Sequence, residues 1–158
     1  MCPVRSVTYV SGRSSLFFKP AQIKAITVRQ PWAELILRKR KPYELRSWST
    51  NYRGLLVIHS AMKMDSDLVR QVGLNPDKLI RGAFVGFVVL SNVRPYTRAD
   101  SKLLKKQRAG GGWYPNLFSW VITKPRRISP AINAKGQLGL FGVSRTVERR
   151  IAKLIKSY

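Results

Sequence analysis

Acidic side chains are scarce in this chain. Seven Asp and Glu stand against thirty Lys and Arg in 158 residues, a formal charge of +23 at pH 7. Chemistry built on converging carboxylates therefore has little to draw on. Only Asp65 and Asp67 are close in sequence, and they read as a helix start, where carboxylates accept from free N–H groups. Cysteine and histidine are scarcer still. Cys2 and His59 are single copies, so no disulfide closes within the chain and no Cys/His zinc site assembles. No metal and no cofactor are expected. No apolar run approaches the roughly 18 residues of a membrane span. The opening MCPVRSVTYVSGRSSLFFKP has no long apolar core of a secretory leader, and a lone thiol suits a reducing compartment. The expectation is an intracellular protein, cytoplasmic or nuclear. The phosphate-loop pattern Gly-x-x-x-x-Gly-Lys-Ser/Thr is also missing.

Positive charge is what the chain has in excess. Seventeen of the basic residues precede position 101 and thirteen follow it, so the excess is not a detachable tail. Such a chain repels itself, and a polyanion relieves the repulsion by exchanging counterions for phosphates. RNA or DNA is the expected partner. An anionic membrane ranks behind it and is not expected, and charge serving solubility alone is the blander reading. The length fits one domain, and 44% hydrophobic residues are enough to bury a core.

Residues 1–22 show no sustained period and read as an arm or edge, with Val7–Val10 a short strand and Leu16–Phe18 able to pack. Ile23–Arg29 alternates as a half-buried strand. Pro31 suits the first turn of a helix running to about Lys39, with Trp32, Leu35 and Ile36 on its core face. Tyr43–Trp48 reads as a strand with Glu44, Arg46 and Trp48 on one side. Leu55–His59, Ala83–Asn92, Leu117–Thr123 and Leu138–Val143 are further strands, and Ser66–Val72 is a helix. Gly110–Gly112 reads as a mobile loop. A Pro-rich turn carries Lys124, Arg126 and Arg127. Thr146–Lys156 is a basic amphipathic helix that packs on the domain of residues 23–145. Many short strands with few helices indicate a small, mainly β barrel with flanking helices.

Lys41, Glu44 and Arg46 set a carboxylate between two cations. Such a carboxylate stays ionised and holds both cations; alternatively it accepts from a base while Arg46 meets a phosphate. From spacing alone, a structural ion pair ranks first. If the group is catalytic, Lys41 is the amine or proton carrier and Glu44 its orienting partner. His59, in an apolar strand, reads as a core or barrel-lining histidine ahead of a general base. Trp32 reads as core, whereas Trp48, Trp113 and Tyr114 are candidates for base stacking. The basic segment Lys105, Lys106 and Arg108, the pair Arg126 and Arg127, and Arg149 and Arg150 on the last helix are candidate phosphate contacts.

These motifs together resemble the ASCH domain family, from about Lys24 to Val143. The resemblance rests on Arg29-Gln30-Pro31-Trp32-Ala33, on Lys41-x-x-Glu44-x-Arg46-Ser47-Trp48, on Tyr52-Arg53-Gly54 and on Lys135-Gly136-Gln137-Leu138-Gly139-Leu140-Phe141. It implies a PUA-like β barrel with flanking helices and a nucleic-acid-binding cleft near Lys41, Glu44 and Arg46. It adds Gln30, Ser47 and Arg53 to the candidate contacts. Lys39 stands where the family pattern Gly-x-Lys-x-x-Glu-x-Arg has its glycine. Some relatives in this family are enzymes, but Glu44 aligns with the threonine nucleophile of its amidohydrolases, and a carboxylate does not do that work. The expectation is a nucleic-acid-binding module, RNA favoured over DNA. A metal-independent ribonuclease or modified-nucleoside hydrolase using Lys41 and Glu44 is the alternative, and a protein-interaction module in transcription coactivation the third.

Overall fold

The computed structural model describes residues 22–156. The strand expected at Val7–Val10 and the packing segment Leu16–Phe18 lie outside the described residues. Within them, strand β1 (Lys24–Gln30) leads into helix α1 (Trp32–Leu37), strand β2 (Tyr43–Arg46) and the long strand β3 (Gly54–Met64). Helix α2 (Ser66–Gln71) and a single 3-10 turn (Pro76–Lys78) precede strand β4 (Ala83–Pro95). Helix α3 (Arg98–Lys106), strand β5 (Phe118–Asn133), strand β6 (Leu140–Gly142) and helix α4 (Arg145–Lys156) complete the order. The described residues are mainly β: six strands and four α-helices.

The strands form one sheet in the order β2-β5-β4-β3-β1-β6. Only β1 and β3 run parallel; the other pairings are antiparallel. Among the described residues no hydrogen-bonded pairing joins the edge strands β2 and β6, so the expected barrel closure is not made by the ladder. A side chain comes closest to making it. β6 covers β1 only at Lys24, Ala25 and Ile26, and the next free carbonyl, that of Thr27, accepts from Arg46 Nη2 of β2 at 2.7 Å. The long guanidinium spans a gap that two backbones do not.

Two expectations about where strands end fail in opposite directions: sheet pairing overrules a local breaker in β5, and β2 stops short. The Pro-rich stretch after Thr123 is not a turn. β5 runs straight through it and stays paired with β4, and the register shifts at two points there. Lys124, at φ 51°, absorbs one irregularity. Conversely, β2 ends at Arg46, two residues short of the expected strand. Trp48 then turns inward, edge-on to Trp120 at 4.6 Å, and packs against the core instead of standing free.

Helices end here by one device. In α1 the N–H of Lys39 reaches the carbonyl of Ile36 and that of Arg40 reaches Leu35. The same pattern closes α2 at Gly73 and α3 at Arg108. Each pivot residue sits in the left-handed region, Lys39 at φ 61°, Gly73 at 80° and Arg108 at 51°. Only Gly73 adopts it without a Cβ penalty. The turn that a glycine would make is therefore kept by Lys39 under strain. Lys39→Gly is expected to raise stability by about 0.5–1 kcal/mol, read as a higher midpoint in thermal melts; a fall would show that the lysine side chain holds something here.

The glycine run is docked, not free. The Ser101 hydroxyl donates to Gly111 O at 2.6 Å and Tyr96 to Gly112 O at 3.0 Å. A Cβ on Gly111 would come within 2.6 Å of backbone atoms in α3. These glycines serve close approach, which composition alone does not separate from mobility.

Candidate functional site

A cleft of about 760 Å³ opens where β1, β2 and β3 meet the loop between β5 and β6. Apart from Leu45 and Met62, the strand residues of its walls follow a two-residue period. Thr27 and Arg29 come from β1, Glu44 and Arg46 from β2, and His59, Ala61 and Lys63 from β3. Alternate residues of a strand share a face, so three short stretches each deliver a matched set. Trp32 at the head of α1 forms a side wall, and the loop supplies Lys135, Gly136 and Leu138.

Glu44 is the fixed point. It is buried, its Oε2 accepts from Lys41 Nζ at 3.0 Å, and its Oε1 pairs with Arg46 Nη2 at 3.0 Å. Burial pushes the Glu44 carboxyl up, but the Lys41 and Arg46 charges and their hydrogen bonds outweigh it and hold the carboxyl below the usual range. The constellation expected from spacing is assembled, as a buried ion triad. Lys41 is turned away from the opening. Its ammonium also donates to the Tyr43 carbonyl and stands 5.9 Å from the centre of the Trp32 ring. Its side chain is 6% exposed, and it lines a separate apolar hollow with Ile36, Pro42, Val88 and Ile122. Lys41 therefore acts on the cleft only through Glu44.

The other candidates scatter. Gln30 is buried and its amide is spent: Oε1 caps α1 by accepting from Glu34 N, and Nε2 donates to Ile80 O. Arg127 ties β5 to α1 through both oxygens of Glu34, beside Arg38. Arg126 is exposed. Ser47 and Arg53 are exposed beyond β2, Arg53 bonding to the carbonyls of Thr50 and Tyr52. Lys105, Lys106 and Arg108 are exposed at the end of α3. Nearby, Trp113 stacks on Tyr96 at 5.8 Å with the Arg98 guanidinium 4.6 Å from its ring, and Tyr114 is 54% exposed. Arg149, Arg150 and Lys153 border their own hollow on α4, whose apolar face, Val147 and Ile151, is buried against the sheet.

Four titratable residues of the cleft were not among the candidate contacts: Arg29, Lys63, Lys135, and His59, which read as a core or barrel-lining histidine. The signal for two was present, since Arg29 lies two residues from Thr27, and Lys63 lies four from His59 along a strand that runs to Met64 rather than stopping at His59. Trp32, expected in the core, packs against core residues but stands only half-buried, its ring facing Gly110 of the docked loop and forming part of the cleft wall.

An open mainly β sheet with flanking helices, a buried Lys-Glu-Arg triad and a cationic cleft beside it define the class. The ASCH domain model matches residues 26–131. The chain belongs to the ASCH domain family. Among solved structures, it is similar to ASCH from Zymomonas mobilis, at 11% identity and a TM-score of 0.54, covering 84% of this chain and 95% of that one. A tyrosine-to-phenylalanine mutant of the Zymomonas mobilis protein gives 12% identity and a TM-score of 0.51, covering 85% of this chain and 97% of that one. At such identity the likeness is one of fold. No curated protein matches the sequence. Among the described residues, no cluster of His, Cys, Asp or Glu is suited to a metal ion, and no helix is long and apolar enough to cross a membrane.

Proposed function

We propose that this ASCH domain binds nucleic acid, RNA in preference to DNA, with one nucleotide held in the cleft and the flanking backbone on the basic surface. The observation that carries this reading is the charge of the cleft mouth. Arg29, Lys63 and Lys135 are exposed there, and none forms an ion pair among the described residues. Three unpaired cations over a pocket of nucleotide size suit a phosphate at the rim and a base within. RNA is favoured because unstacked bases, which such a pocket needs, are displayed by its loops and ends. Away from the cleft, exposed Tyr114 with Lys105 and Lys106 offers a second contact for the strand.

Fluorescence anisotropy with matched single-stranded RNA, single-stranded DNA and duplex DNA, in EDTA and over a salt series, tests this. Log affinity is expected to fall linearly with log salt, and Lys63→Ala or Lys135→Ala to flatten the slope by about 0.7 each. Arg149→Ala with Arg150→Ala is expected to change the slope without changing probe preference. Loss of all binding near physiological salt sinks the reading and leaves the charge to solubility or to a protein partner. Probes recovered cleaved would favour the hydrolase alternative.

A further inference from the structure

We propose that the cleft reads the hydrogen-bonding edge of a single unstacked nucleobase, with His59 Nδ1 as acceptor and Arg46 Nε–H as donor; this rests on the nucleic-acid reading above. Three buried side-chain polar atoms lack a partner among the described residues: Arg46 Nε, His59 Nδ1 and Gln107 Oε1. The last lies at the end of α3. The other two belong to residues that line the same cleft.

Their polarities differ, and that difference selects the ligand. His59 Nε2 lies 2.9 Å from the Ala134 carbonyl. A carbonyl only accepts, so Nε2 carries the hydrogen and Nδ1 of the neutral ring presents a lone pair. Arg46 spends Nη2 on Thr27 O and Glu44 Oε1, and its Nε–H only donates. Thr27 brings the two together: its carbonyl holds Arg46, and it pairs in register with His59 across β1 and β3. A buried polar group left unpaired costs enough to be rare in a native fold. A phosphate or carboxylate offers acceptors alone and would leave His59 unmet. A nucleobase carries donor and acceptor side by side on its pairing edge, and only when unstacked does it present that edge to a protein pocket.

The surroundings fit a flat, amphipathic guest. Trp32 walls the cleft, and the exposed side chains of Met62 and Leu138 stand at its mouth. Gly136 faces the His59 edge so closely that a Cβ there would lie 2.8 Å from Nδ1 and 2.8 Å from Thr27 Oγ1. A side chain at 136 would occupy the space in front of the acceptor.

The test uses the full chain and two single-stranded RNA probes of equal length and charge, one of mixed sequence and one an abasic ribose-phosphate chain. The native protein is expected to prefer the base-bearing probe by about tenfold or more. His59→Gln keeps an amide near the Nε2 position, facing Ala134 O, and deletes the Nδ1 acceptor. It is expected to bring the ratio near one while affinity for the abasic probe is unchanged. His59→Asn restores a polar atom near Nδ1 and is expected to recover part of the ratio. Gly136→Ala keeps the imidazole but sets a Cβ 2.7 Å from its Cε1 and 2.8 Å from its Nδ1, so that the ring or the loop must give way; it should also lose the preference, melts verifying the fold of each variant. Equal binding of both probes by the native protein overturns base reading while leaving nucleic-acid binding intact. A preference that survives in folded His59→Gln and Gly136→Ala assigns it to stacking and overturns the proposal too. Binding to neither probe overturns both readings.

Discussion

Glu44→Ala lowers stability by about 3–5 kcal/mol, which in a protein of this size moves the melting midpoint by on the order of 10 °C. The effect is large because the carboxylate is shared. Lys41 Nζ and Arg46 Nη2 both lean on it, and Lys41 is buried with one carbonyl as its other hydrogen-bond partner. Removing the anion leaves a desolvated cation with most of its compensation gone. Attraction in a buried pair is largely cancelled by desolvation, so the pair as a whole contributes little while either half alone is costly. Glu44→Leu with Lys41→Met, apolar on both sides, is therefore expected to recover most of the lost stability. It is not expected to recover nucleic-acid affinity, because Arg46 loses the carboxylate that sets its guanidinium against Thr27. Equal melting midpoints for Glu44→Ala and the native chain would show that the triad is exposed in solution.

Asp100→Asn is expected to cost about 2–4 kcal/mol and to flatten the acid side of the stability curve. Asp100 is buried at the start of α3 and holds three elements at once. Arg94 of β4 donates to both its oxygens at 2.6 and 2.8 Å, Ser119 of β5 donates at 3.0 Å, and the Thr97 N–H closes a capping box with it. Burial pushes its carboxyl up, but Arg94, the Thr97 N–H and the Ser119 hydroxyl together hold it well below the usual range. A depressed folded value means that the unfolded chain binds the proton more readily. The stabilisation is thus complete above the unfolded pKa near 4 and drains away as pH falls through the lowered folded value. Glu44 and Glu34 are shifted the same way. Thermal melts from pH 7 to pH 2 should be flat above about pH 5 and then decline, less steeply in Asp100→Asn. An unchanged acid limb in that variant would assign the decline to the two glutamates.

Strands with a clear alternation were legible. Ile23–Arg29, Ala83–Asn92 and the Tyr43–Arg46 part of the expected strand Tyr43–Trp48 follow from which residues face the core, and the motifs carried the resemblance to the family. Glu44 and Arg46 share a face because they are two positions apart on a strand, which needs no tertiary information. Proline and glycine misled, because each has two meanings. Pro125 and Pro130 read as breakers, yet β5 keeps its pairing around them; Gly110–Gly112 reads as slack, yet the run is there to let backbones touch.

The sequence by itself determined the charge, the strand-rich class, the helix ends and the presence of one carboxylate between two cations, because these are set by neighbours a few residues apart. Only the tertiary structure decided that Lys41 faces away from the cleft, that Arg46 bridges to β1, and that Arg29, His59, Lys63 and Lys135 stand around one opening. Thr27 and Gln137, joined by a hydrogen bond across it, are 110 positions apart. Such contacts depend on which strands pair and in what register, and that choice is made by burying the whole sheet at once rather than by any local stretch.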